Sequence, residues 1–127
     1  MADCNKCTSK TQCSECKNSK YLKSDNTGCI TDCTTDPNKN NIWTNSNNKK
    51  CIKCNVTYAD CVTCDSSVCK TCPASGKTYM ASDSKSCRDT SCSGDPNSGN
   101  IWLDSTNKKC ILCSASMTNC LKCSTGT

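Results

Sequence analysis

The sequence predicts a small disulfide-rich repeat protein, in which short β-hairpins and loops stack as an elongated rod with little or no helix. Three observations lead to this prediction. The 127 residues include 18 Cys, but only twelve Ile, Leu and Val residues and no Phe. Because so few large apolar residues cannot build a packed core, covalent cross-links must replace it. The cysteine spacing also repeats along the chain, and turn-forming residues separate the short apolar runs.

Charge and hydropathy exclude two classes of function. The 16 Lys and Arg residues exceed the 11 Asp and Glu residues only modestly, and they are spread along the chain. A nucleic-acid-binding protein would cluster them with aromatic residues. No apolar segment is long enough to cross a membrane.

Dense cysteine in so polar a chain indicates an oxidising, extracellular or cell-surface location. The opening MADCNKC has no apolar leader, so we expect the numbering to begin at a mature or excised piece.

The cysteines define two complete units and the beginning of a third. The shared spacing is C-x2-C-x4/5-C-x2-C-x12/14-C-x3/4-C-x17-C-x2-C. It assigns repeat 1 to residues 1–60, repeat 2 to residues 61–119 and the start of a third repeat to residues 120–127. Other positions repeat as well, since DPNKNNIWTNSNNKKCIKC at 36–54 returns as DPNSGNIWLDSTNKKCILC at 95–113. In repeat arrays of this kind, each unit contacts mainly its neighbours.

The duplicated segment predicts one hairpin in each repeat. Asp-Pro-Asn is a turn signal, and residues 41–43 and 100–102 are expected to form strands facing residues 49–52 and 108–111. Trp43 and Trp102 stand at matching points of these hairpins. We predict that both are buried local core residues, each covering one disulfide. The alternative is an exposed ligand platform, with nearby Lys as contacts, in a fragment of a cysteine-rich receptor.

The seven C-x2-C pairs also allow a thiolate zinc protein. Two features favour disulfides instead. The gaps of four and five residues between neighbouring pairs are shorter than in zinc ribbons. Cys29, Cys33, Cys87 and Cys92 lie outside the C-x2-C pairs. Zinc binding therefore remains the alternative, and no metal or cofactor is predicted.

The sequence predicts no catalytic site. It contains no His, so general base catalysis would fall to Asp, Glu or Lys, and none lies in an evident cleft. Glu15 and Asp60 are expected to be solvated surface residues. We therefore predict that the protein is not an enzyme. The triplet Asn55-Val56-Thr57 is an acceptor sequence for N-glycosylation, which predicts a glycan on Asn55.

The order of the cysteines resembles the furin-like, or growth-factor-receptor, cysteine-rich repeat along the whole chain. The segment YLKSDNTGC at 21–29, the polar loops and the many C-x2-C pairs are most similar to cysteine-rich surface proteins of protists. Two such groups are the immobilisation antigens of ciliates and the variant surface proteins of diplomonad parasites. The resemblance implies a rod of alternating two-disulfide knots and single-disulfide loops, and a non-catalytic structural or surface-coat function.

The resemblance also implies a disulfide pairing. The implied pairs are Cys4–Cys13, Cys16–Cys29, Cys33–Cys51, Cys54–Cys64, Cys61–Cys69, Cys72–Cys87, Cys92–Cys110 and Cys113–Cys123. Cys7 and Cys120 are left over. In the repeat register, Cys7 should pair with an equivalent of Cys54 in a preceding unit, and Cys120 with an equivalent of Cys69 in a following unit. We therefore predict that the partners are neighbouring repeats or other copies, joined head to tail as an array or filament.

Overall fold

The protein is a chain of short strands and turns with very little helix. The computed structural model describes residues 1–123, so residues 124–127 of the predicted third repeat lie outside the described residues. Within that range the helices are single turns, including α1 at Cys54–Thr57 and α2 at Cys113–Ser116. The strands are β1 Cys4–Cys7, β2 Cys13–Cys16, β3 Tyr21–Leu22, β4 Cys29–Ile30, β5 Ile42–Asn45, β6 Lys50–Lys53, β7 Thr63–Cys64, β8 Cys69–Thr71, β9 Tyr79–Met80, β10 Cys87–Arg88, β11 Ile101–Asp104 and β12 Lys109–Leu112.

The hairpins predicted from the duplicated segment are present in both repeats. β5 pairs antiparallel with β6, and Trp43 lies opposite Ile52. β11 pairs with β12 in the same register, and Trp102 lies opposite Ile111. The polar residues between the strands form the turn, as the sequence predicts.

Each hairpin belongs to a four-stranded sheet. The strand order is β4-β3-β6-β5 in the first sheet and β10-β9-β12-β11 in the second. The backbone N–H of Leu22 donates to the carbonyl of Lys49 at 2.8 Å, and Met80 donates to Lys108 at 2.9 Å. Both lysines have a φ of 51°, the left-handed conformation that this turn requires. The two sheets therefore share one topology and one turn geometry.

A two-stranded ribbon precedes each sheet. We call residues 4–16, which contain β1 and β2, the first knot, and residues 61–72, which contain β7 and β8, the second knot. The first knot has two register shifts, between Cys4 and Lys6 and between Lys6 and Cys7. The second knot has one shift, between Thr63 and Cys64.

The core consists mainly of cysteine side chains, together with Leu22, Tyr58, Tyr79 and Ala81. One buried cluster joins Cys54, Tyr58 and three cysteines of the second knot and sheet, with Trp43 and Met80 packed against it. The second knot therefore lies between the first hairpin and the second sheet. Within 1–123, no helix is long and apolar enough to cross a membrane.

The predicted boundary between residues 60 and 61 is crossed by several links. A disulfide joins Cys54 to Cys64, and the backbone N–H of Cys87 donates to the carbonyl of Ala59 at 3.0 Å. Contacts between successive repeats are expected in an array of this kind. The division into repeats and the elongated rod remain predictions from the sequence.

Candidate functional site

Eight disulfides hold the described chain together. They are the same eight pairs that the resemblance implies: Cys4–Cys13, Cys16–Cys29, Cys33–Cys51, Cys54–Cys64, Cys61–Cys69, Cys72–Cys87, Cys92–Cys110 and Cys113–Cys123. The Cα atoms within the first and third pairs lie 5.8 and 5.5 Å apart, which is ordinary disulfide geometry.

The disulfides have four distinct positions in the repeat. One lies within the knot, a second ties the knot to the sheet, a third closes the hairpin, and the fourth ties the hairpin to the next knot. The fourth type is represented by Cys54–Cys64 and Cys113–Cys123. Cys54 and Cys113 have no exposed surface, so this connection is made in the interior. The framework therefore links each repeat covalently to the residues that follow it.

The two unpaired cysteines lie in different surroundings. Cys7 is exposed, and its Sγ lies 3.3 Å from Sγ of Cys4. Cys120 is partly buried, and its thiol donates to the carbonyl oxygen of Lys122 at 2.9 Å. Cys7 occupies the place that Cys64 has in the second knot, where Cys64 is bonded to Cys54. Cys7 is therefore an accessible sulfur beside a disulfide.

Among residues 1–123, sulfur atoms also meet in two groups of three, one in each repeat. Cys13, Cys16 and Cys29 have all their Sγ atoms within 4.8 Å of one another, and so have their counterparts Cys69, Cys72 and Cys87. Three closely spaced thiolates would suit zinc. Each of these sulfurs is bonded in a disulfide, and zinc binds the thiolate form of cysteine. The groups could therefore hold a metal only after reduction.

The prediction that Trp43 and Trp102 are buried was wrong, because both are only half-buried. The indole N–H of Trp43 donates to Oγ1 of Thr57 at 3.3 Å, and that of Trp102 donates to Oγ of Ser116 at 3.1 Å. The chain has too few large apolar side chains to cover an indole ring completely. The two side chains remain equivalent in register and in hydrogen bonding.

The surroundings of the two tryptophans differ. Trp43 packs against the buried cysteine cluster around Cys54. Trp102 lines an open groove of about 700 Å³, together with Gly99 and Leu103. A half-buried aromatic side chain that lines an open groove is compatible with the receptor alternative.

A buried carboxylate in each repeat was not recognised from the sequence. Asp36 is 2% exposed and Asp95 is 3% exposed. Asp36 accepts hydrogen bonds from N and Oγ of Ser24 and from N of Asn38, each at 2.8 Å. Asp95 accepts the same three bonds from the same types of residue, at 2.6 to 2.9 Å. The segments Ser-Asp and Asp-Pro-Asn repeat together because they are the two halves of this network.

The predicted surface residues lie at the surface. Glu15 is exposed and accepts a hydrogen bond from Nδ2 of Asn5 at 2.8 Å. Asp60 forms an exposed ion pair with Lys77 at 2.8 Å. Asn55 is exposed in the turn α1, so its side chain is accessible to a glycosylating enzyme. The glycan itself remains a prediction.

Two exposed carboxylates, Asp32 and Asp89, cap the turns that follow strands β4 and β10. The pKa of Asp32 is lowered because its carboxylate accepts a hydrogen bond from the backbone N–H of Thr34. The pKa of Asp89 is lowered chiefly by the hydrogen bond from the hydroxyl of Ser91, and further by the backbone N–H groups of Ser91 and Ser93. Hydrogen bonds to the charged form stabilise that form. Both groups therefore favour the fold when they are ionised.

The fold and its framework define a small cysteine-rich, disulfide-bonded protein. No protein-family model matches the chain. Searches of curated proteins and of solved structures find no match either.

Proposed function

We propose that the chain is a non-catalytic, extracellular structural module that belongs to a surface coat and resembles furin-like cysteine-rich repeats. The observation that supports this most is the disulfide Cys54–Cys64, which joins the hairpin of one repeat to the knot of the next. A repeated internal connection of this kind is suited to building long covalent arrays. The dense disulfide framework also fits an oxidising compartment.

The array extends beyond one chain through the unpaired cysteines. Cys7 is exposed and Cys120 is partly buried, and neither is bonded. A head-to-tail contact between copies is heterologous, and it forms a filament unless its rotation closes a ring. Joining Cys7 to Cys120 removes two electrons and two protons, which glutathione disulfide can accept.

Assembly is tested by incubating the protein with glutathione disulfide and running a non-reducing gel. The proposal predicts a ladder of oligomers that disappears on reduction, and that is lost in both Cys7→Ser and Cys120→Ser. Cys7→Ser is matched by Lys6→Ser, which changes the neighbouring residue and should leave the ladder intact. A wild-type protein that remains monomeric throughout would contradict head-to-tail assembly.

The extracellular assignment is tested by expression through a eukaryotic secretory pathway. The secreted protein should contain eight disulfides, and a glycosidase should increase its gel mobility. Asn55→Gln should abolish that shift, because Asn55 lies in the exposed acceptor triplet. Retention of a misfolded, disulfide-scrambled chain would count against this location.

A thiolate zinc protein is the second candidate, and the two groups of three sulfurs favour it. Zinc would be held by Cys13, Cys16 and Cys29, and by their counterparts in the second repeat, in the reduced chain. The test is to add zinc to the fully reduced protein and to follow the amide NMR spectrum. Restoration of the oxidised spectrum by zinc would support this candidate, and a collapsed spectrum would exclude it.

A further inference from the structure

The first knot brings an unpaired thiol into contact with a disulfide. Sγ of Cys7 lies 3.3 Å from Sγ of Cys4, which is itself bonded to Cys13. Cys7 is exposed, whereas Cys13 is 1% exposed. Across the two strands, Cys7 also lies directly opposite Cys13. Three of the four cysteines in this ribbon are therefore involved, and the thiol among them is accessible to solvent.

We propose that the first knot is a thiol–disulfide exchange site, in which Cys7 displaces Cys13 from Cys4. The thiolate of Cys7 attacks Sγ of Cys4, and a Cys4–Cys7 bond forms as the Cys4–Cys13 bond breaks. The electron pair of the broken bond leaves on Sγ of Cys13, which takes a proton from water. One disulfide and one thiol are present before and after, so the step requires no oxidant or reductant.

The backbone explains why Cys4 and Cys7 can meet. In a regular strand, residues three positions apart point to opposite faces and lie about 10 Å apart. The two register shifts of the first knot fall between these two cysteines. Such irregularities bend a strand and redirect its side chains. The exchange geometry therefore follows from the distortion of β1.

The released sulfur has a hydrogen-bond acceptor in place. Sγ of Cys13 lies 3.0 Å from the carbonyl oxygen of Glu15. Burial disfavours a thiolate at this position, and a nearby carbonyl oxygen favours the protonated thiol. The product is therefore a neutral, buried thiol, and the exchange replaces an exposed thiol with a protected one.

The rest of the chain provides internal controls for this site. Cys64 has the same place in the second knot, but it is bonded to Cys54, so it offers no thiol there. The thiol of Cys120 is directed at the carbonyl oxygen of Lys122. Of Cys7, Cys64 and Cys120, Cys7 is the one whose thiol lies beside a disulfide sulfur, that of Cys4.

The exchange has a consequence that rests on the proposed function. A copy in which Cys7 is bonded to Cys4 has its thiol at Cys13, which is buried and cannot reach another molecule. Such a copy cannot be joined through Cys7. The position of the exchange equilibrium would then set the fraction of chains that can be extended at this end.

Peptide mapping of the monomer tests the exchange. Protein kept at about pH 8, where thiolates form, is acidified, denatured, blocked with a maleimide and digested with trypsin without reduction. Cleavage after Lys6, Lys10 and Lys17 places Cys4, Cys7 and Cys13 in peptides 1–6, 7–10 and 11–17. We expect two species, one with 1–6 linked to 11–17 and maleimide on Cys7, and one with 1–6 linked to 7–10 and maleimide on Cys13. In both, peptide 11–17 also stays linked through Cys16 to the peptide that contains Cys29. Detection of the first species alone would overturn the proposal.

A pair of variants gives a second, independent measurement. Cys13→Ser should form a Cys4–Cys7 disulfide when glutathione disulfide is supplied. The matched variant Cys69→Ser should leave Cys61 as a thiol, because Cys64 is already bonded to Cys54. Alkylation of both Cys4 and Cys7 in Cys13→Ser would contradict the exchange.

The approach to equilibrium gives a third measurement. The rate should rise about tenfold per pH unit in acid, because only the thiolate attacks. A rate that does not depend on pH would contradict the mechanism. All three measurements use monomers, so they distinguish a failure of the exchange from a failure of head-to-tail assembly. A missing gel ladder would contradict only the assembly.

Discussion

The two knots have nearly the same cysteine spacing but very different surroundings. In the second knot, Cys61 and Cys69 are buried, and Cys64 is bonded to the preceding repeat. In the first knot, Cys13 is buried like its equivalent Cys69, but Cys4 is partly exposed and Cys7 is an exposed thiol. The same local sequence pattern therefore gives a core in one place and a reactive surface in the other. The second knot is covered by Cys54, Tyr58 and Trp43 of the first repeat.

The comparison shows where the apolar contacts of this protein come from. The cluster at the second knot includes Tyr58 from the first repeat and Cys87 from the second, with Trp43 packed against it. The second repeat also forms a smaller buried cluster of its own, from Tyr79, Cys92 and Cys110, but the larger cluster spans both repeats. Stability should therefore be concentrated between repeats, as in other repeat proteins.

The largest loss of stability is expected when the disulfide within a knot is removed, and the loss should differ between the two knots. Replacing Cys61 and Cys69 by Ala should lower the free energy of unfolding by about 4 kcal/mol, because loop constraint and buried contacts are lost together. Replacing Cys4 and Cys13 should cost about 2 kcal/mol, because the loop constraint is lost but only Cys13 of the two is buried. Urea unfolding measures both. Equal losses of unfolding free energy would show that burial between the repeats does not stabilise the second knot.

The tryptophans should show the next largest difference. Trp43→Ala should cost about 2 kcal/mol, which is below the value for a fully buried aromatic because the indole is half-buried. Trp102→Ala should cost about 1 kcal/mol, since Trp102 lines an open groove. Thermal or urea unfolding distinguishes them. A larger loss of unfolding free energy in Trp102→Ala than in Trp43→Ala would contradict this prediction.

The buried carboxylates should behave alike in the two repeats. In Asp36→Asn, the new amide N–H₂ faces the backbone N–H of Ser24, so a hydrogen bond is lost and two donors oppose each other. This should cost about 1–2 kcal/mol. Asp95→Asn should cost the same, because its partner Ser82 has the same geometry. Clearly different costs would show that the two networks are not equivalent.

Acid should weaken both repeats through their capping carboxylates. The lowered pKa values of Asp32 and Asp89 mean that each adds stability fully above the ordinary Asp pKa, and loses it as pH falls through the lowered value. The urea midpoint should therefore fall below about pH 4. Asp32→Asn and Asp89→Asn should each make that fall shallower. An unchanged pH profile in both variants would contradict the assigned hydrogen bonds.

Much of the fold follows from local sequence patterns. The duplicated Trp-to-cysteine segment predicts both hairpins, because turn residues and short apolar runs are local signals. The pair of residues Ser24 and Asp36 was not recognised, since a bond across twelve residues leaves no spacing signal. The exposure of Trp43 was also mispredicted, because burial depends on how much of the chain folds over the side chain.

The framework and the exchange site differ in how far the sequence predicts them. The resemblance to furin-like cysteine-rich repeats implies the pairing, and the structure has equivalent pairs in both repeats. The contact between Cys4 and Cys7 depends on strand irregularities that cysteine spacing does not reveal. The resemblance therefore implies that Cys7 is left over, and the structure shows which disulfide it faces.

The most direct test of the account is to count thiols by intact mass after alkylation of the denatured protein. Eight disulfides and two unpaired cysteines predict two alkyl groups without reduction and eighteen after reduction. The same count should be obtained after treatment with a strong chelator. Eighteen alkyl groups without any reductant would show that thiols, rather than disulfides, hold the native fold, and would contradict the account.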